Sequence, residues 1–163
     1  MSKNLHRGPF SSIVRAIYLL LQGRIHFPKD RLGQIVDEGE GFEIFRHMTL
    51  DPDQDQPEKP GAIFKVRFQF ASMSPKMNIK TSLIPIPFIV AQPGFRSKMW
   101  ALGRERGEFQ GIYEWDTIAT AENYWTSFPM KLMKKRAVPD SLSYEIERVE
   151  FDQTKPSHAG NLS

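Results

Sequence analysis

Apolar and polar positions alternate along four runs between residues 62 and 150, and two stretches of helical spacing separate them. The first run, AIFKVRFQF at 62–70, puts Phe64, Val66, Phe68 and Phe70 on one side and Lys65, Arg67 and Gln69 on the other, as a strand with two unlike faces does. FRSKMWAL at 95–102 and EFQGIYEWD at 108–116 read as two further strands, joined by the hairpin loop GRERG. LSYEIERVE at 142–150 is the fourth. A helix is predicted from Ser74, a capping residue followed by Pro75, and it should fail near Pro85. IPIPFIVAQPG at 84–94 is too rich in proline for a regular helix and reads as a broken apolar segment. The second helix opens near Thr117, with Ile118, Ala121, Trp125, Phe128 and Leu132 on one face and Pro129 bending it. The order is βαββαβ, a ferredoxin-like α+β unit built on an antiparallel sheet.

Residues 1–61 form an N-terminal extension to this unit. After a loose start at 1–9, Ser11 or Ser12 is placed to cap a helix with Ile13, Ile17, Leu20 and Leu21 on its apolar face, and Gly23 to stop it. A turn at 38–41 leads into a strand, FEIFRHMTL at 42–50, and a polar loop fills 51–61. Residues 62–150 are then the ferredoxin-like domain, and 151–163 a polar tail.

Strict alternation sorts the sheet into two faces. One collects Phe64, Val66, Phe68, Met99, Phe109, Tyr113, Trp115, Leu142, Tyr144 and Ile146 and should meet the helices. It reads either as plain core or as the wall of an apolar pocket, with Tyr113, Trp115, Tyr144 and Met99 on the strands and Tyr124 on the helix. The other collects Lys65, Arg67, Gln69, Arg96, Lys98, Trp100, Gln110, Glu114, Asp116, Glu145 and Glu147. Those charges read either as cross-strand ion pairs, such as Lys98 or Arg96 with Glu114, or as an anion site in which Arg67, Arg96 and Lys98 hold an enolate or carboxylate beside Glu114 as base.

Composition narrows the chemistry. The 163 residues contain no cysteine, which excludes disulfides and thiolate chemistry. Four histidines, His6, His26, His47 and His158, lie far apart in sequence, so no metal site is predicted; His47, on the 42–50 strand, is the one conceivable haem ligand. No cofactor is predicted, and no phosphate-binding glycine motif occurs. The apolar stretch at 13–21 is too short to span a bilayer and contains Arg15, which points to a cytoplasmic protein without a membrane partner. The net charge of +3 is unevenly spread: residues 1–36 carry six Lys or Arg and one acid, residues 37–60 eight acids and two bases. These two blocks are expected to face each other or different partners.

The segment 95–116, with FRSKMW, a short charged hairpin and GIYEWD, resembles the YdhR-like monooxygenases of the dimeric α/β-barrel superfamily, and the likeness extends more loosely over 62–150. It implies a homodimer whose two sheets face each other. Among the activities of that superfamily, it also implies a cofactor-independent monooxygenase, in which aromatic and amide side chains orient a phenolic substrate that itself activates oxygen. The expected partner is therefore a small apolar or aromatic ligand. A non-catalytic ligand-binding or structural dimer is the alternative. RNA-binding modules share the βαββαβ order, but Glu114 and Asp116 would repel phosphate, so no nucleic acid is expected.

Overall fold

A computed structural model of the chain describes residues 8–37, 39, 41–71, 73–104 and 107–150. The polar tail, most of the loose start, parts of the 38–41 turn and of the GRERG loop, and His6 and His158 lie outside these residues. Seven strands form one antiparallel sheet: β1 (Ile25–His26), β2 (Ile35–Val36), β3 (Phe42–Leu50), β4 (Ala62–Phe68), β5 (Phe95–Gly103), β6 (Phe109–Trp115) and β7 (Ser143–Arg148). Their order is β1-β3-β5-β6-β4-β7, with β2 also on β3. Within it, β5-β6-β4-β7 is the ferredoxin-like unit, whose crossovers are α2 (Pro75–Thr81) with α3 (Ile86–Val90), and α4 (Ile118–Trp125) with α5 (Phe128–Arg136). The extension is built into the same sheet, because β3 pairs with β5 along nearly its whole length.

One face of the sheet carries the helices. Phe64, Val66 and Trp115 are wholly buried there against Ile89, Ala121, Tyr124 and Met130. Ser74 accepts a hydrogen bond from the Met77 amide and starts α2, and Pro87 sits harmlessly in the first turn of α3. Thr117 and Thr120 form a reciprocal capping box that starts α4. The second helical stretch is broken rather than bent. Ser127 stands at the N-cap position of a separate α5, its side chain making no cap hydrogen bond, and Pro129 lies in the first turn, since proline is compatible with a helix start but not its interior.

Helix α1 (Pro9–Leu21) departs from the expected capping and facing. Gly8 precedes it, and Ser12 is buried instead of capping. Its inward side is Ser12, Ala16 and Leu19, small enough to lie close on α3, while Ile13, Ile17, Leu20 and Leu21 point outward. Gly23 does end it: with φ at 67°, the amides of Gly23 and Arg24 reach back to Leu20 and Leu19, a Schellman closure.

Two bulges set the register. In β5, Phe95 lies opposite Trp115 but Ser97 lies opposite Glu114, so the alternation changes phase between them. Lys98 and Trp100 therefore sit on the helix face, opposite Tyr113 and Gly111, while Met99 turns to the other face beside Ile112 and His47. This reverses the placement of Met99, Lys98 and Trp100 that strict alternation predicts. A second bulge, between Ile44 and Arg46 in β3, brings Phe45 and Arg46 to the helix side.

Candidate functional site

A cavity of about 100 Å³ lies between the helix face of the sheet and α2, α3, α4 and α5. Its position follows from one missing side chain. Gly111, in the middle of β6, is flanked by Val66 and Trp100, and a Cβ there would stand 2.7 Å from the Tyr113 ring, closer than atoms pack. Glycine therefore lets the Tyr113 ring fold over the strand and leaves space beside it. The volume is of the order of the ~150 Å³ cavity that accepts a benzene ring, and the flexible Met73, Met130 and Met133 in the wall give it room to adjust to one ring.

The wall is mainly apolar, and three of its buried polar residues, Lys98, Tyr113 and Asn78, present donors. Lys98 is 6% exposed and its Nζ lies 4.3 Å from the Trp100 ring centre and 4.4 Å from that of Tyr113. No carboxylate pairs with it among the described residues. Burial, and then the nearby Arg46 charge, hold its pKa well below the ordinary lysine value of 10.5. The two ring faces favour the ammonium by about 0.5–2 kcal/mol each. That is less than the several kcal/mol, roughly, of burying an ion unpaired, so burial decides the direction.

Tyr124, from α4, donates to the Tyr113 hydroxyl across a long 3.4 Å, which leaves the Tyr113 proton free to point into the cavity. Burial raises both phenols above their ordinary 10.0, so they act as neutral donors. The Asn78 amide nitrogen, on α2, is buried without a hydrogen-bond partner. Arg46 lies behind this part of the wall, hydrogen-bonded to the lining residue Ser82 and to the Ile79 carbonyl. An acceptor oxygen on an apolar ring is the ligand group that such walls complement.

Of the five candidate pocket residues, Tyr113 and Tyr124 line this cavity. Trp115 is wholly buried below them in ring contact with both, its Nε1 lacking an acceptor. Tyr144 is half-exposed and stacks on Trp125 at 3.9 Å, outside the cavity, and Met99 is on the opposite sheet face. The four residues of the anion cluster do not converge. Arg67 pairs with Asp37 at 2.8 Å, Arg96 with Asp116 at 2.9 Å, and Glu114 accepts from Ser97 at 2.6 Å, all away from the helices. Only Lys98 is left for the cavity. Asn78, Arg46, Trp100 and Gly111 are the site residues that sequence reasoning missed. A lone glycine inside an aromatic strand was the signal for the last.

The cavity residues do not fit a haem. None is a histidine, and the volume is well short of the ~300 Å³ at which pockets for larger ligands begin. His47 lies across the sheet, its Nδ1 3.6 Å from Asp30.

No protein-family model matches the sequence, and no curated protein is significantly similar to it. Solved structures share the fold. A heme-degrading enzyme from Listeria monocytogenes superposes with a TM-score of 0.51 at 10% identity, over 68% of this chain and 72% of that one. An anthrone oxidase-like protein also gives 0.51 at 16% identity, but this chain spans only 55% of its length. A third, a ferredoxin-fold protein from Listeria monocytogenes related to antibiotic biosynthesis monooxygenases, gives 0.51 at 13% identity, over 72% and 70% of the two chains.

Proposed function

We propose that this protein binds a small aromatic or apolar molecule between sheet and helices and oxygenates it without a bound cofactor, as a monooxygenase-like enzyme. The observation that carries the reading is the composition of the cavity wall: mainly aromatic and aliphatic, with the Lys98 amine, the Tyr113 hydroxyl and the Asn78 amide among its polar groups. Such a site fixes a ring by its oxygen and keeps water from the rest. The neighbours lend support to the reaction class, since an anthrone oxidase-like protein and a relative of antibiotic biosynthesis monooxygenases share this fold.

The chemistry needs only substrate and dioxygen. A methylene activated by a conjugated phenol loses two hydrogens; one oxygen atom becomes the new carbonyl and the other leaves with those hydrogens as water. The test is incubation of the purified protein with anthrone-type phenols under isotopically labelled oxygen. One labelled atom in the product at a rate above the protein-free control is the expected result. Binding of the phenol without oxygen uptake would instead support the second reading, a ligand-binding protein without catalysis, which the same cavity accommodates.

A further inference from the structure

Lys98 is a buried amine that structural needs do not explain. It bridges no strands through a carboxylate, and the bulge at Phe95–Ser97 turns it from the ion-paired side of the sheet to the apolar one. Lys65, on the ion-paired side, is matched to Glu145 and Glu147 at 3.2 and 3.0 Å. The titratable groups beside Lys98 are Arg46 from β3 and Tyr113 from β6, with Tyr124 of α4 and Arg136 of α5 elsewhere in the cavity wall. None of these is an acid at neutral pH.

We propose that Lys98 is the proton acceptor of this cavity and that its ligand is a neutral weak acid, a phenol or an enolisable carbonyl. The inference rests on the small-molecule reading of the cavity given above. The ligand enters uncharged, which suits an apolar passage, and passes its acidic proton, from O–H in a phenol or from the α-carbon in a carbonyl, to the Lys98 amine. An ammonium and an oxyanion result, with no net change in the charge of the site. The oxyanion then has the Tyr113 hydroxyl and the Asn78 amide within the same walls as further donors, and Arg46 adds positive potential at that end. A ligand that is already an anion in water would have to shed its hydration at the mouth, and a ligand without an acidic proton would leave the amine unpaired. The site thus selects by acidity as well as by shape. The electron-rich anion it produces is also the form that reacts with dioxygen.

The test uses 4-nitrophenol, whose phenolate absorbs in the visible, and its methyl ether, which has no proton to give. Both are titrated into the full-length protein one pH unit below the pKa of the free phenol. The expected result is a phenolate band appearing with bound phenol in the wild type, and at least tenfold weaker binding of the ether. In Lys98→Met the ring should still bind, with phenol and ether at parity and no band; Lys98→Gln, assayed alongside, provides a second folded variant. Phenol bound in its neutral form by the wild type, or a band that survives both substitutions, overturns the role of Lys98 and leaves the cavity reading standing. Failure of both ligands to bind the wild type overturns the cavity reading and this inference with it.

Discussion

At the residue scale the decisive side chains are one amine and one absent methyl group. Because the folded chain holds Lys98 with a lowered proton affinity, the unfolded chain binds the additional proton between that lowered value and the ordinary 10.5. Stability should therefore climb with pH through this window, by about 1.4 kcal/mol per unit. Lys98→Met should abolish the climb and be the more stable protein at pH 7, as urea denaturation at pH 7 and 9 would show; parallel slopes would contradict the burial argument. Gly111→Ala should push the Tyr113 ring into the cavity, cost about 1–3 kcal/mol in a thermal melt and weaken binding of a ring ligand at least tenfold. Tyr113 was legible in the sequence as an aromatic position of an alternating strand, and Tyr124 as an aromatic of the helix that follows it. Lys98 was legible only as a charge, because a bulge is a change of phase that periodicity cannot register until the pairing partners, Trp115 and Glu114, are known.

At the scale of elements, the strands between 42 and 148 were legible almost to their ends, since two-residue alternation and glycine or proline punctuation agree there. The facing of α1 was not. Its apolar residues are on both sides, and the choice of Ser12 and Ala16 as the inward surface depends on how near α3 lies, a tertiary fact. Ile17→Glu should accordingly leave denaturant stability within about 0.5 kcal/mol. The uneven charge does resolve within the chain: Arg15 and Arg24 both grip Asp53, at 3.1 and 2.6 Å, tying the first helix to the acidic loop. Burial acts to raise the Asp53 pKa, but hydrogen bonds and charge from Arg24 and Arg15 outweigh it and leave it lowered. The clasp thus holds above the ordinary 3.8 and is lost as pH falls through the lowered value; half-exposed and screened, it should weaken in high salt. Arg96 is a stronger tie. It is nearly buried and holds Asp116 together with the carbonyls of Pro57 and Glu58. Arg96→Ala should cost about 3 kcal/mol in urea denaturation, since it leaves the mostly buried Asp116 carboxylate with Gln56 in place of a charged partner and frees the Pro57 and Glu58 carbonyls.

At the scale of the molecule, the sheet has one face for the cavity and one for charge. Among the described residues no helix is long and apolar enough to cross a membrane. On the charged face, Val36 packs against Phe42 and Ile44, and Asp37 bonds to Arg67 and Gln110, so the chain itself covers the sheet above β3, β5 and β6. A second copy placed sheet to sheet would be left the β4–β7 side. The expected outcome of light scattering is twice 18.8 kDa, with a salt-sensitive equilibrium because Lys65, Glu145 and Glu147 stand there; a monomer at all concentrations would remove the homodimer. The strand order has one further consequence, for biosynthesis. One edge of β3 meets the short β1 and β2, but its other edge has nothing to pair with until β5 emerges from the ribosome about fifty residues later, which at roughly 5–20 residues per second is several seconds. Throughout that interval the nascent chain presents the apolar α1 segment and one open edge of a nine-residue strand, so residues 9–50 are the stretch on which a ribosome-bound chaperone would act.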